Sequence, residues 1–157
     1  MNTIKSIGRA ILLMLILNSC KDEYTICDVS TNVAEKSGFY HVSSGVEQPI
    51  NSSSFFLTQL GSSSPIYAAV NNLGRFSLPL NPLLDSAKYQ ISVNNNVTID
   101  TITFVYTSQP LLINADCGTI YIQNLTRVWA TKHKIDSVKI SNNVINNTSG
   151  ENLKIYF

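Results

Sequence analysis

The sequence predicts an all-β protein, an antiparallel β-sandwich of Ig-like or related kind, behind an N-terminal lipoprotein signal. Three observations carry that prediction. Apolar residues recur with a period of two along most of the chain, turn-forming clusters of Asn, Ser, Gly and Pro separate the runs, and nothing after the first twenty or so residues keeps a helical period. A closed barrel shares these signals and is the alternative architecture.

The signal comes first. Lys5 and Arg9 precede an apolar run from Ala10 to Leu17, followed by Leu17-Asn18-Ser19-Cys20. A basic head, a short apolar core and a small residue before the cut describe a secretory signal, and the run falls short of the roughly 20 residues that cross a bilayer as a helix. Cys20 at the first mature position makes it a lipoprotein signal, because a thiol is the side chain best suited to take a diacylglyceryl group. Asn18 is a tolerated departure, and an ordinary secretory signal with a chance cysteine is the plainer alternative. Two or three acyl chains, at about 0.8 kcal/mol per buried methylene, would hold the protein on a membrane without crossing it. Lys21-Asp22-Glu23 then resembles the export tag that sends Bacteroidota lipoproteins to the outer face of the outer membrane. A solvated charged tether is the competing reading of those three residues.

Residues 1–19 are thus read as signal, 20–36 as lipidated N-terminus and tether, and 37–157 as one β-sandwich domain of ordinary core size. Lys and Arg number 11 against 10 Asp and Glu, a net charge of +1 that becomes −1 when Lys5 and Arg9 leave with the signal. That balance offers no footprint for nucleic acid and no polybasic patch for anionic lipid. With 44% hydrophobic residues the chain is not disordered, and 13% charged residues suits an exported protein whose turns are polar without being charged.

Strands are expected at Gly38 to Val42, Phe55 to Leu60 and Ile66 to Val70, then where Phe76, Leu78 and Leu80 alternate with Ser77 and Pro79. Tyr89, Ile91 and Val93 alternate with Lys88, Gln90 and Ser92, and Ile102, Phe104 and Tyr106 with Thr101 and Thr103. Leu111 to Ala115, Thr119 to Leu125, Arg127 to Thr131, Ile135 to Ile140 and Leu153 to Phe157 complete the set. Turns fall at Asn51 to Ser54, Gly61 to Pro65, Asn71 to Gly74, Asn81-Pro82, Asn94 to Asn96 and Asn146 to Gly150. Leu111, Ile113, Ala115 and Cys117 share one parity, which predicts an inward-facing Cys117.

Of three cysteines one goes to lipid, leaving Cys27 and Cys117. An even pair in an oxidising compartment predicts a disulfide, and closing a loop of about ninety residues restricts the unfolded chain by roughly 4–5 kcal/mol. Two free thiols or a redox pair are the alternatives, weakened by the absence of a Cys-x-x-Cys spacing.

No motif assembles an active site, a metal site or a cofactor site. His41 and His133 stand apart, the latter between Lys132 and Lys134, and both read as surface histidines. Asp85, Asp100, Asp116 and Asp136 are scattered singly among strand ends, so a glycosidase carboxylate pair would need the fold to bring two together. Trp129 with Tyr121, and Tyr40 with Tyr106 and Tyr156, are candidates for a glycan-stacking face, although aromatics are also ordinary strand residues. Asp85-Ser86-Ala87, Asp100-Thr101-Ile102 and Asp136-Ser137-Val138 each match the triplet that resembles the Bacteroidota O-glycosylation acceptor, making Ser86, Thr101 and Ser137 candidate modification sites.

Thr25-Ile26-Cys27, the run from Asp100 to Tyr106, Ala115-Asp116-Cys117-Gly118 and the closing Lys154-Ile155-Tyr156-Phe157 together resemble a family of uncharacterised Bacteroidota outer-membrane lipoproteins, a domain of unknown function. The resemblance implies a Cys27–Cys117 disulfide and brings no catalytic residues. The chain departs from the family at Asn114-Ala115-Asp116, where a basic residue is usual before the cysteine, and at Thr119, where an aromatic usually follows the glycine. The functional expectation is a non-enzymatic, membrane-anchored interaction or accessory module, working on another envelope protein or a glycan, with no cofactor. A surface glycan-binding module is the alternative, and a hydrolase a more distant one.

Overall fold

Alternation decides which face of each strand is buried. In Ser86–Val93, Ala87, Tyr89, Ile91 and Val93 are buried while Ser86 and Lys88 are exposed. The computed structural model describes residues 27, 29–94 and 97–157, and among these there are eleven strands and no helix. They are β1 (Glu35–Ser43), β2 (Val46–Pro49), β3 (Phe55–Gln59), β4 (Pro65–Val70), β5 (Arg75–Leu78), β6 (Ser86–Val93), β7 (Asp100–Asn114), β8 (Gly118–Ala130), β9 (Ser137–Ile140), β10 (Val144–Ile145) and β11 (Leu153–Tyr156).

Two sheets form. One has five strands, ordered β2-β1-β11-β9 with β5 also pairing β1, and the other six, ordered β10-β8-β7-β6-β3-β4. One of the sheets curls into a half-barrel. Phe39, Leu153 and Ile155 of the first and Phe55, Leu57, Tyr89 and Phe104 of the second belong to one buried cluster. Phe55 joins the sheets through rings, 5.3 Å from Phe39 and 4.8 Å from Phe76 between centroids. Burying one such side chain contributes roughly 1.5–3 kcal/mol.

The expectation of purely antiparallel sheets is corrected at one pair. β1 and β11 run parallel, with Phe39 opposite Ile155 and Tyr40 opposite Tyr156. Chain ends distant in sequence can meet in either direction, whereas the short turns that dominate here force antiparallel neighbours. β1 also starts at Glu35, so Glu35 and Lys36 belong to the sheet rather than to the tether.

The stretches 101–106 and 111–115, expected as separate strands, are one strand but for Ala115, as are 119–125 and 127–131 but for Thr131. Pro110 sits inside β7 because β6 pairs with β7 only as far as Val105, and beyond that point β7 has a neighbour on one edge only. Continuity overturns the inward parity assigned to Leu111, Ile113, Ala115 and Cys117. Ile102, Phe104 and Tyr106 are the buried set, alternation puts Leu111 and Ile113 on the opposite face, and Ala115 and Cys117 lie in the turn before β8.

Buried polar groups tie the parts together. Asn152, fully buried, donates from Nδ2 to the Asn142 and Val144 carbonyls at 3.1 and 2.9 Å and accepts the Lys36 N–H on Oδ1 at 3.1 Å. It thereby links β1 of one sheet to the start of β10 in the other. Tyr89 Oη, Gln123 Nε2 and Tyr106 Oη donate in turn to the carbonyls of Pro79, Leu80 and Asn81 at 2.7, 2.7 and 3.0 Å, fixing the β5–β6 loop.

Candidate functional site

A polar network joining two carboxylates, two tyrosines and three cations lies on the outer face of the five-stranded sheet. Since Phe39, Leu153 and Ile155 point into the core, alternation turns Gly38, Tyr40, Lys154 and Tyr156 outward. Arg75 Nε stands 3.7 Å from Glu151 Oε2, and Tyr40 Oη donates to the Glu151 carboxylate at 2.9 Å. Lys154 Nζ lies 4.7 Å from the Tyr40 ring centroid and donates to Glu47. Tyr156 Oη donates to Glu47 Oε1 at 2.8 Å, and Lys139 Nζ is 3.6 Å from the same oxygen.

The electrostatics follow from these contacts. Hydrogen bonds from Lys154 and Tyr156 pull the Glu47 carboxyl down to about 2, and the Glu47 bond in turn raises Lys154. Burial, then the bond to Glu47, raises Tyr156. A Cβ at Gly38 would meet the Glu151 carboxylate and oblige it to move from the place where Tyr40 and Arg75 hold it.

A cleft opens at each end of the ladder. One, of about 410 Å³, is lined by Lys36, Tyr67, Arg75, Ser77 and Glu151 among others. The other, of about 360 Å³, is lined by His41, Glu47, Asp136, Lys139 and Tyr156 among others. Each sets at least one lysine, a carboxylate and a tyrosine into a lining that is otherwise largely apolar, with Phe76 in the first and Val42 and Phe157 in the second, the mixture of apolar walls and a few polar groups usual in ligand sites. In the first, Tyr67 Oη donates to the Ser77 carbonyl at 2.9 Å and accepts its N–H at 3.2 Å, which occupies the outer edge of β5.

The model of a family of unknown function (DUF6452) matches residues 54–157. The chain belongs to that family. No curated protein and no solved structure matches it. The DUF6452 match takes in β3 to β11 with Cys117, while β1, β2 and Cys27 precede it.

In this DUF6452 member Cys20, Lys21, Asp22 and Glu23 lie outside the described residues. Cys27 and Cys117 are brought together, their Cα atoms 5.0 Å apart in disulfide geometry. Asp100 is structural. Its carboxylate is 2% exposed and accepts from Thr131 Oγ1 at 2.6 Å, and from the N–H groups of His133, Lys134 and Ile135 at 2.9, 2.7 and 3.0 Å. Burial works to raise its pKa, and these donors outweigh that and hold it at about 2. His133 Nδ1 is 3.0 Å from the same carboxylate, and His41 Nδ1 is 2.7 Å from the Phe157 carbonyl. No group of three or more His, Cys, Asp or Glu able to hold a metal occurs among the described residues.

The aromatic candidates separate. Tyr106 is in the core at 1% exposure, and Tyr40 and Tyr156, each 8% exposed, are covered within the ladder, so none of the three presents an open stacking face. Trp129 and Tyr121 are exposed, but they stand eight positions apart on β8, roughly 26 Å along a strand, so they form no common platform. Arg127 already covers the Trp129 ring at 4.9 Å from its centroid. Of the three triplets, Ser86 and Ser137 are exposed at the first positions of β6 and β9, while Thr101 is half-buried between β6 and β8.

Sequence reasoning missed Glu47, Arg75, Lys139 and Glu151. Lys154 was read only as part of the closing Lys154-Ile155-Tyr156-Phe157 run. The pattern Lys154-Ile155-Tyr156 was the one available signal, since its outward members are a cation and a phenol. One further titratable group was missed: Glu35 is fully buried, accepts the Ser37 hydroxyl at 2.8 and 3.0 Å, and is pushed up to about 8 chiefly by burial.

Proposed function

We propose that the chain is a lipid-anchored protein of the Bacteroidota outer membrane, attached through Cys20, whose domain is a non-enzymatic interaction module built as a β-sandwich of Ig-like kind. The ladder on the outer face of the five-stranded sheet is its recognition surface, and the partner is an envelope protein or a glycan. The observation that carries this reading is that both ladder carboxylates are already engaged, Glu151 by Tyr40 and Arg75, Glu47 by Lys154, Tyr156 and Lys139. A carboxylate held at about 2 is a poor general base at neutral pH, and among the described residues the carboxyl with an elevated pKa, Glu35, is sealed in the core. What the face offers instead is a fixed pattern of charges, held by two largely covered tyrosines, between two clefts whose linings mix charged groups with apolar walls.

Photo-crosslinking in intact envelopes tests this. A photoreactive residue at Lys139 should give a discrete adduct, and one at Gln90, on the other sheet, should not. Equal yields at both positions would refute the ladder as the recognition surface. Turnover of envelope glycans that is lost in Glu47→Gln would refute the non-enzymatic reading.

A further inference from the structure

We propose that the far end of the β7–β8 ribbon is a second membrane contact, its apolar residues reaching the headgroup–acyl boundary of the bilayer and setting the orientation of the domain. This rests on the lipid-anchor reading above. β6 leaves β7 after Val105 and β10 leaves β8 at Gln123, opposite Ser108, so past that point the ribbon stands clear of the sheet, and its end exposes Leu111 at 42%, Leu112 at 67% and Tyr121 at 39%, with Pro110 exposed beside Tyr121. Scattered apolar residues on a surface need no explanation, but a two-faced apolar tip does. From Thr107 to Asn124 the sequence carries a single formally charged residue, Asp116, against two Leu, three Ile, one Pro and one Tyr. That is the composition of a segment that sits at a lipid–water interface.

The chain itself identifies what covers this tip. Cys27 is joined to Cys117 in the turn of the ribbon, and Cys20, the acylated residue, lies seven positions before Cys27. Seven residues reach at most about 25 Å however they are arranged. The apolar tip is therefore leashed to the bilayer surface, while Asp100, fourteen residues up β7, lies as much as about 46 Å farther along the strand. In that orientation the β8–β9 loop bound by Asp100, and with it the Asp136 side of the second cleft, points away from the membrane toward a partner.

The test uses the acylated, full-length mature protein in phosphatidylethanolamine and phosphatidylglycerol vesicles whose acyl chains carry bromine, a contact quencher of tryptophan. The chain has one Trp, so L112W combined with W129F moves the only fluorophore to the exposed tip. Emission should fall at least about twofold against unbrominated vesicles, while wild-type Trp129 keeps its intensity. Bromine-insensitive emission from an acylated, vesicle-bound variant would overturn the inference and leave the lipoprotein reading standing. A mass showing Cys20 unmodified would overturn both. Cross-linked dimers joined through the tip, with no quenching, would overturn it in favour of a second copy. As a check independent of the Trp variant, hydrogen exchange around residues 109–121 should slow on vesicle binding in the wild type. It should not slow in Leu111→Asp/Leu112→Asp.

Discussion

Tyr40 and Tyr156 stand side by side across the parallel β1–β11 pair, ring centroids 6.0 Å apart, yet their hydroxyls donate to different carboxylates, Glu151 and Glu47. The parallel register makes this arrangement. It puts both rings on the outer face at the same level, and Lys154, two residues before Tyr156, then falls between Tyr40 and Glu47. One strand pair thus organises charges contributed by β2, β5, β9 and the loop before β11.

Glu47→Gln should let Tyr156 ionise at lower pH, because the bond to Glu47 is the second cause of its elevation after burial. The folded Glu47 pKa of about 2 lies below the ordinary 4.5, so its stabilisation is present above 4.5 and is lost as pH falls toward 2. The variant should flatten that acid limb. Ring-carbon NMR of the tyrosines reads the first effect and melting against pH the second, and an unmoved Tyr156 titration would contradict the assignment.

Glu35 carries the opposite sign. Its folded pKa of about 8 lies above the ordinary 4.5, so the native state holds a proton that the unfolded chain has lost, and stability falls as pH rises from about 4.5 to 8. The slope from this group approaches about 1.4 kcal/mol per pH unit. Glu35→Gln, neutral at every pH, should remove the slope and melt higher than the wild type at pH 8. Parallel melting curves for the two proteins from pH 5 to 8 would sink the idea.

Asp100→Asn should release the β8–β9 loop, since an amide cannot accept from four donors as a carboxylate does. Losing those charge-assisted bonds in a buried setting should cost about 2–4 kcal/mol, readable by chemical denaturation. The wild type should lose the same stabilisation in acid, as pH falls through 3.8 toward 2. A cost below about 0.5 kcal/mol, as at ordinary surface sites, would mean that Asp100 does not hold the loop.

Gly38→Ala should destabilise by pressing a methyl group against the Glu151 carboxylate, and Glu151→Ala should make the alanine tolerable. The two changes should therefore be strongly non-additive, with a coupling on the order of 1 kcal/mol or more in a double-mutant cycle. Simple additivity would show that the carboxylate does not occupy the place assigned to it.

Strands with one buried face were legible, as Tyr89, Ile91 and Val93 in β6 and Leu153 and Ile155 in β11 illustrate. β2 was not, because all four of its residues are exposed and no alternation marks them, and β10 is only two residues long. The parity of Leu111 to Cys117 misled because the ribbon outruns the core, so burial no longer tracks alternation there. Of the candidate site, the phenols Tyr40 and Tyr156 were visible as aromatic residues on strands. Their carboxylate partners were not: Glu47 and Glu151 lie more than a hundred residues away in sequence, and only the parallel meeting of β1 and β11 brings them together.

Intact mass and peptide mapping of the protein extracted from native envelopes, under non-reducing conditions, test the central claim of a domain anchored at Cys20 and clamped at Cys27. The account predicts an N-terminus at Cys20 carrying a diacylglyceryl group, and a peptide pair joined through Cys27 and Cys117. A mature chain starting elsewhere, or Cys20, Cys27 and Cys117 all recovered as free alkylatable thiols, would contradict it.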